Sequence, residues 1–195
     1  MKKAILIVTI LFVAVISTAC INNMAVQELN NEAKSYMEQG DYKSAIDRLE
    51  SSIELDNSLY ETHYNLGIAY IEANEYQKGI DALNNAMRIN PKYANTYYSL
   101  AVAQEKYADT LINPDSTEFS LDENDEVAVN TKKTAYENAP TSVKERMIEE
   151  YLISIGNFRK YCDLINSPQK TEEITAHIKD MEEVLTRLGY KGSSY

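Results

Sequence analysis

The chain has few of the residues from which catalytic and ligand-binding centres are commonly built. It contains two histidines, His63 and His177, and neither is arranged with a serine or cysteine as a nucleophile pair. Both histidines lie among apolar residues of helical patterns, which favours a packing or surface role. The six glycines form no phosphate-binding loop. We therefore predict a protein that is not an enzyme and that carries no cofactor and no metal.

Cysteine and basic residues are also scarce. Cys20 and Cys162 are the two cysteines, so the chain has no internal disulfide framework, and Cys162 is expected to be buried as a small hydrophobe. Lys and Arg number 19 against 30 Asp and Glu, which gives a formal net charge of −11. Because phosphate binding depends on clusters of Lys and Arg, this balance argues against a nucleic-acid partner.

The apolar run at residues 4–16 is too short for a membrane span, which needs about 20 residues. Lys2 and Lys3 precede it and small residues follow at 17–19, which is the three-part layout of a secretory signal. Cys20 comes directly afterwards and resembles the lipobox cysteine of bacterial lipoproteins, although Ser17 stands where that family usually has Leu.

This resemblance implies a lipoprotein signal peptide at residues 1–19, with Cys20 as the lipidated first residue of the mature chain. Residues 20–25 would form a short tether that holds the domain close to the membrane, on its extracytoplasmic side in the bacterial cell envelope. Ordinary signal peptidase would cut at the same bond, and the alternative is therefore a secreted chain with a free thiol at Cys20.

From residue 26 onward, a helical pattern recurs at a spacing of 34 residues. Small residues recur where paired helices must approach closely, and larger apolar residues recur where they interlock. The equivalent sets are Leu29/His63/Tyr97, Ala33/Gly67/Ala101, Ala45/Gly79 and Leu49/Leu83. This register predicts consecutive units of two helices each.

The second unit resembles the tetratricopeptide (TPR) repeat, a helix–turn–helix unit with a W-x2-L-G-x2-Y…A-x3-F…P pattern. The matching residues are Leu66, Gly67, Tyr70 and Pro91. His63, Gly79 and Leu83 replace the Trp, Ala and Phe of that pattern. The resemblance implies an all-α fold, a short TPR solenoid with a C-terminal capping helix.

The predicted layout divides the mature chain into repeats, an insertion and a cap. The 34-residue register is lost after Tyr107 and helical signals return at Ser142, which with Glu145 fits a capping box. An exposed end of a repeat stack needs a covering element. The segments are TPR 1 at 26–59, TPR 2 at 60–93, a split TPR 3 at 94–108 and 142–166, an acidic insertion at 109–141 and a capping helix at 168–189.

The acidic insertion suggests an alternative function. Its run at residues 122–126 has the charge of a calcium loop, but Val127 replaces the glycine at the sixth position and Lys133 replaces the closing Glu. We predict a solvated acidic loop without a metal. The alternative is a ligand- or cation-responsive binding module that acts through this insertion.

The TPR resemblance implies a concave groove lined by the first helix of each unit. Contiguous apolar and aromatic surface usually marks a binding site. The predicted groove residues are Asn30, Lys34, Met37, Tyr64, Asn65, Ile68, Ile71, Tyr98 and Val102. We predict a non-enzymatic scaffold or assembly factor of the cell envelope that binds a partner peptide or helix there. The competing interpretation is that the chain itself fills the groove, and self-association through the stack ends stays open.

Overall fold

A computed structural model describes residues 23–112 and 134–192, and the regular secondary structure in those ranges is entirely helical. Short turns join the first five helices in succession. In chain order the helical segments are α1 (23–38), α2 (Tyr42–Leu55), α3 (Tyr60–Glu72), α4 (Tyr76–Ile89), α5 (Ala94–Thr110), α6 (134–138), α7 (Thr141–Leu164) and α8 (Pro168–Arg187). The predicted all-α class is confirmed.

The first two units share the same turn between their paired helices. The turn residue is Gly40 in the first unit, with φ of 75°, and Asn74 in the second, with φ of 61°. This left-handed conformation suits glycine and is tolerated by asparagine. In the second unit the Glu75 amide donates to the Tyr70 carbonyl oxygen at 2.8 Å, and the equivalent bond in the first unit measures 2.9 Å. The two helices of each of these units are therefore joined by a tight turn.

The paired helices of each unit cross at small residues. Gly67 in α3 and Gly79 in α4 face each other so closely that a Cβ on either would lie 3.1 Å from the carbonyl oxygen of the other. A Cβ on Gly67 would also lie 2.5 Å from Cγ of the fully buried Leu83. In the first unit Ala33 and Ala45 are both buried at the equivalent positions. The alternation of small and large residues thus sets the distance between the helices.

α7 packs against α5 in the manner of a second helix of a third unit. Ser154 Oγ donates to the Ala101 carbonyl oxygen at 2.8 Å, and Asn157 Nδ2 donates to Gln104 Oε1 at 2.8 Å. Each bond joins residues 53 positions apart. Ala101 holds the small-residue position of this unit, and Ser154 lies directly against it. The pairing of α5 with α7 is therefore maintained across the intervening segment.

A buried hydrogen-bonded group holds the described parts of the predicted insertion against this helix pair. Tyr151 in α7 donates to Asp109 Oδ1 at 2.7 Å, and Tyr136 in α6 donates to the same oxygen at 3.0 Å. Both tyrosine side chains are buried. Burial, together with the nearby Asp109 carboxylate, raises the pKa of Tyr151 well above its ordinary value of 10.0. The two ends of the insertion are thus linked near its base.

α8 covers the end of the stack with an apolar stripe. Its buried residues are Ile174, Ile178, Met181 and Leu185. They belong to the same core cluster as Phe158 and Tyr161 of α7. A helix at the end of a solenoid must bury its inner face and expose its outer face to water. The apolar stripe of α8 therefore fits a capping helix. The predicted C-terminal capping helix is confirmed.

The start of α7 differs from the prediction. The helix begins at Thr141 with Pro140 at the N-cap, and no side chain caps it by a hydrogen bond. Ser142 therefore lies inside the first turn, where its hydroxyl is not at the N-cap position that a capping box requires. The predicted capping box of Ser142 and Glu145 does not form.

The predicted signal peptide, Cys20 and the first tether residues lie outside the described residues, as does the acidic run at 122–126. Across residues 23–112 and 134–192, no helix combines the length and the apolar character that crossing a membrane requires.

Candidate functional site

A concave pocket of about 400 Å³ lies where the inner helices α3 and α5 meet the ends of α7 and α8. We call it the groove pocket. Its lining residues are Tyr64, Asn95, Tyr98, Ser99, Tyr161, Lys170, Glu173 and Ile174. It therefore combines aromatic walls with hydroxyl, amide and charged groups.

Tyr98 is the most accessible aromatic side chain of the groove pocket. Its side chain is 42% exposed, although Tyr97 and Ser99 on either side are buried. Its ring lies 5.7 Å from that of Phe158 at 72° and 5.3 Å from that of Tyr161 at 55°. Such tilted ring contacts contribute about 0.5–1.5 kcal/mol each. Tyr98 is thus exposed to solvent but held in place by α7.

Tyr64 forms the opposite wall and is half-buried. Its ring meets the Tyr93 ring nearly edge-on, with centroids 5.2 Å apart, and Tyr93 in turn contacts Tyr60 at 5.1 Å. Its hydroxyl accepts a long hydrogen bond of 3.4 Å from Ser99 Oγ. Burial raises the pKa of Tyr64 above its ordinary value of 10.0. The hydroxyl is therefore protonated at neutral pH and has a proton to donate.

The prediction for Ile71 needs a correction. Ile71 is 6% exposed and belongs to a core cluster with Leu83 and Leu100, so it has almost no surface to offer a partner. The cause is the close crossing at Gly79, whose missing Cβ would lie 2.9 Å from Ile71 Cγ1. Ile71 fills the space between α3 and α4.

The remaining predicted residues of α3 and α5 are half-buried. Ile68 packs against the same core cluster as Ile71, and Val102 packs against the cluster formed by α5, α7 and α8. Asn65 is half-buried beside Tyr64 in sequence but does not line the groove pocket. None of the three residues lines the groove pocket.

The predicted residues of α1 do not line the groove pocket. Asn30 Nδ2 donates to Ser52 Oγ at 3.0 Å and to the Val26 carbonyl oxygen at 2.9 Å, which commits this amide to packing within the first unit. Met37 packs against the core cluster of that unit, whereas Lys34 is exposed. Of the nine predicted groove residues, the pocket brings together Tyr64 and Tyr98.

The pocket also contains residues that sequence reasoning did not select. Asn95 and Ser99 lie on α5 beside Tyr98, at positions within one helical turn of it. Lys170 and Glu173 come from the first turns of α8, and their arrival depends on how the cap folds back. The one indication of these pocket residues in the sequence was Tyr161, whose bulky side chain stands where the first two units have Ser52 and Ala86.

The imidazole of His177 and the thiol of Cys162 lie outside the groove pocket. His177 Nε2 lies 2.9 Å from Glu105 Oε2, and its ring meets that of Phe158 edge-on at 5.3 Å. Cys162 is a free, half-buried cysteine, and burial raises the pKa of its thiol. Within 23–112 and 134–192, no three His, Cys, Asp or Glu side chains cluster as metal ligands.

Two family models match the region of the first two units. One, described as "TPR repeat", matches residues 33–73, and the other, described as "Tetratricopeptide repeat", matches residues 60–93. This chain contains TPR repeats. No curated protein matches the chain.

Solved TPR structures share the fold at low sequence identity. The first TPR of Spaghetti (RPAP3) is 16% identical, covers 84% of this chain and 97% of its own, and gives a TM-score of 0.53. The Sgt2 TPR domain from Aspergillus fumigatus is 15% identical, covers 87% of each chain and gives 0.52. These similarities confirm the predicted TPR solenoid.

Proposed function

We propose that this chain is a non-enzymatic adaptor of the bacterial cell envelope that binds a peptide or helix of a partner protein in the groove pocket. TPR proteins generally mediate protein–protein interaction. We propose in addition that the partner lies in the groove pocket and that the chain is located in the cell envelope.

The observation that carries the proposal is the exposure of Tyr98 in a concave pocket. An accessible tyrosine surrounded by buried neighbours costs little conformational entropy when a partner covers it, because Phe158 and Tyr161 already hold its ring. Tyrosine is also among the residue types enriched at binding hot spots. α8 contributes Lys170, Glu173 and Ile174 to the lining and leaves Tyr98 exposed.

A solved structure of the same fold supports a peptide as the occupant. The first TPR of Spaghetti (RPAP3) was solved bound to the HSP90 peptide SRMEEVD. The identity of 16% means that the fold alone is shared, so the peptide sequence is not transferred. The peptide preference of this chain depends on the residues of its own groove pocket.

Site-specific photocrosslinking tests the location of the partner. Asn95 is exposed and lines the groove pocket, whereas Asn84 is exposed on α4 and lies outside it. A photoreactive residue at position 95 should crosslink a discrete protein in native cells, and the same residue at position 84 should not. Adding Tyr98→Ala to the position-95 variant should abolish that crosslink.

Equal crosslinking from positions 95 and 84, or crosslinking at 95 that survives Tyr98→Ala, would contradict a partner site in the groove pocket. The folded state of each variant is checked by its helical circular dichroism and its unfolding midpoint. The check matters because loss of the two Tyr98 ring contacts also lowers stability, by about 1–3 kcal/mol.

The envelope location has a separate test at Cys20. Replacement by Ala removes the thiol that lipidation requires, and the protein should move from the membrane fraction to the soluble extracytoplasmic fraction. A multiply acylated cysteine anchors firmly, since each buried CH₂ contributes about 0.8 kcal/mol. An unchanged distribution of the Cys20→Ala protein would contradict the lipid anchor and leave the adaptor role standing.

A further inference from the structure

An exposed stripe runs along α7 on the side opposite its buried residues. The members of the stripe are spaced alternately three and four residues apart, which keeps them on one face of the helix. All of them are exposed, and none lines the groove pocket. They are Arg146, Glu149, Ile153, Gly156, Lys160 and Asp163. We call this set the α7 stripe.

The middle of the α7 stripe is apolar, although it faces solvent. Ile153 is 42% exposed, and Leu152 next to it is 37% exposed. A Cβ added to Gly156 would meet no atom within 4 Å, so the helix surface is open at that position. An exposed isoleucine one turn away from an open glycine provides a knob and a hollow, which close packing of two helices requires.

The charges along α7 are arranged as opposites about the point between Ser154 and Ile155. The pairs at equal distances from that point are Arg146 with Asp163, Glu149 with Lys160, and Glu150 with Arg159 beside the stripe. Each pair combines one acidic and one basic side chain. In a twofold interface residue i of one copy contacts residue j of the other, and j contacts i. A twofold axis at this point therefore brings opposite charges together in all three pairs.

Most of these charges are available to a second chain. Within residues 23–112 and 134–192, no ion pair engages Glu149, Lys160 or Asp163. Arg146 donates to the Tyr107 hydroxyl at 2.7 Å, and its guanidinium group has further N–H donors. Arg159 pairs with Glu182 at 3.1 Å, but both side chains are more than half exposed. A second copy can therefore approach these charges from solvent.

We propose that the protein forms a twofold dimer in which α7 packs antiparallel against α7 of a second copy. Ile153 of each copy then rests on Gly156 of the other, and Glu149 lies against Lys160 on both sides of this contact. The contact runs from residue 146 to residue 163, about 26 Å of helix at 1.5 Å per residue. This inference goes beyond the proposed function, because it concerns a second surface and leaves the groove pocket open.

The charges disfavour the other arrangements of two α7 helices. In a parallel pair each residue meets its own copy, so Glu149 would face Glu149 and Lys160 would face Lys160. An antiparallel pair shifted by seven residues in either direction places Ile153 against the carboxylate of Glu149 or of Asp163. Contacts between like charges and desolvated carboxylates without a partner both cost free energy. The antiparallel register centred between residues 154 and 155 avoids both costs.

Sedimentation velocity of the purified chain tests the proposal, with Cys20→Ala in every protein so that no lipid is attached. An interface of one helix pair is small, so the measurements run from about 1 μM to about 500 μM. We expect a dimer that forms as the concentration rises. Glu149→Lys and Lys160→Glu should each weaken dimerisation about tenfold or more, because two attractive contacts become repulsive. Both positions are exposed, so the fold of each variant is retained.

Mixing the two single variants tests the register directly. One variant has two basic side chains at positions 149 and 160, and the other has two acidic ones. A heterodimer restores both attractive contacts, whereas neither homodimer does, so the mixture should dimerise about as tightly as the unsubstituted chain. The control is Glu54→Lys, at an exposed residue of α2, which changes the net charge equally and should leave dimerisation unchanged.

Four outcomes would overturn the proposal. The first is a chain that stays monomeric up to about 500 μM. The second is a dimer that neither Glu149→Lys nor Lys160→Glu weakens, and the third is a dimer that Glu54→Lys weakens as much as they do. The fourth is a loss of dimer in the single variants that mixing them does not restore.

Discussion

His63 holds the loop that precedes its own helix, because its Nε2 lies 3.0 Å from the backbone carbonyl oxygen of Asn57. A carbonyl oxygen accepts, so Nε2 carries the proton. One repeat later along the chain, the Tyr97 hydroxyl donates to the Pro91 carbonyl oxygen, also at 3.0 Å. Two different side chains thus make the same anchor at the position where the TPR pattern has Trp.

The loop anchor predicts a cost for removing the Tyr97 hydroxyl. Tyr97→Phe should lower the free energy of unfolding by about 0.5–1.5 kcal/mol, the usual net value of one hydrogen bond. Denaturant unfolding measures it. Tyr93→Phe is the matched control, since its hydroxyl has one long 3.4 Å contact with Asn95 and its loss should cost less than about 0.5 kcal/mol. A larger loss in the control would count against the anchor.

The close crossing of α3 and α4 predicts opposite effects for two Gly→Ala substitutions. Gly67→Ala should destabilise by about 1–3 kcal/mol, because the new Cβ would collide with the buried Leu83 side chain. Gly156→Ala should stabilise by about 0.5–1 kcal/mol, because Gly156 is exposed within α7 and a Cβ there meets nothing within 4 Å. Thermal or denaturant unfolding of both variants shows whether the signs differ; a stabilising Gly67→Ala would refute the crossing.

Replacing a buried threonine that has no hydrogen-bond partner is expected to stabilise the protein. Thr62 and Thr96 are fully buried, and neither Oγ1 has a hydrogen-bond partner. Thr62→Val keeps the shape and removes an unsatisfied hydroxyl, so the free energy of unfolding should rise by about 1 kcal/mol. Thr175→Val, at an exposed residue whose hydroxyl bonds to the Thr171 carbonyl oxygen, should change it by less than about 0.5 kcal/mol. A destabilised Thr62→Val protein would mean that the hydroxyl has a partner in solution.

The bond between Tyr151 and Asp109 predicts a pH-dependent effect. Tyr151→Phe should cost about 1.5–3 kcal/mol near neutral pH, because a buried hydrogen bond to a carboxylate is lost. The folded-state pKa of Tyr151 lies above its ordinary value of 10.0. Its contribution is therefore complete below pH 10 and is lost as the pH rises from there towards the folded-state pKa.

Unfolding of the wild-type chain and of Tyr151→Phe between pH 7 and about pH 11.5 tests this relationship. The stability difference between the two should be constant up to about pH 10 and should then shrink by up to about 1.4 kcal/mol per pH unit. Other tyrosines titrate in both proteins and cancel in the difference. A difference that grows above pH 10 would show that the pKa of Tyr151 is not raised.

The helices and their pairing follow from local patterns. The small residues Ala33 and Gly67, with Leu83, recur at a fixed spacing that two packed helices require, and Gly40 and Asn74 mark turns that need a left-handed backbone. Such features act over one or two helical turns or between neighbouring helices, so the sequence alone predicted the repeats and the cap.

The tertiary structure determines which of the predicted groove side chains are exposed. Ile71 and Tyr98 both stood at predicted groove positions, yet Ile71 is buried and Tyr98 is 42% exposed. The missing Cβ of Gly79 lets α4 approach Ile71, whereas α7 supports Tyr98 from one side only. Lys170 reaches the groove pocket because α8 folds back over the last pair of helices. The exposure of a side chain depends on helices distant in sequence, and the repeat register contains no information about their approach.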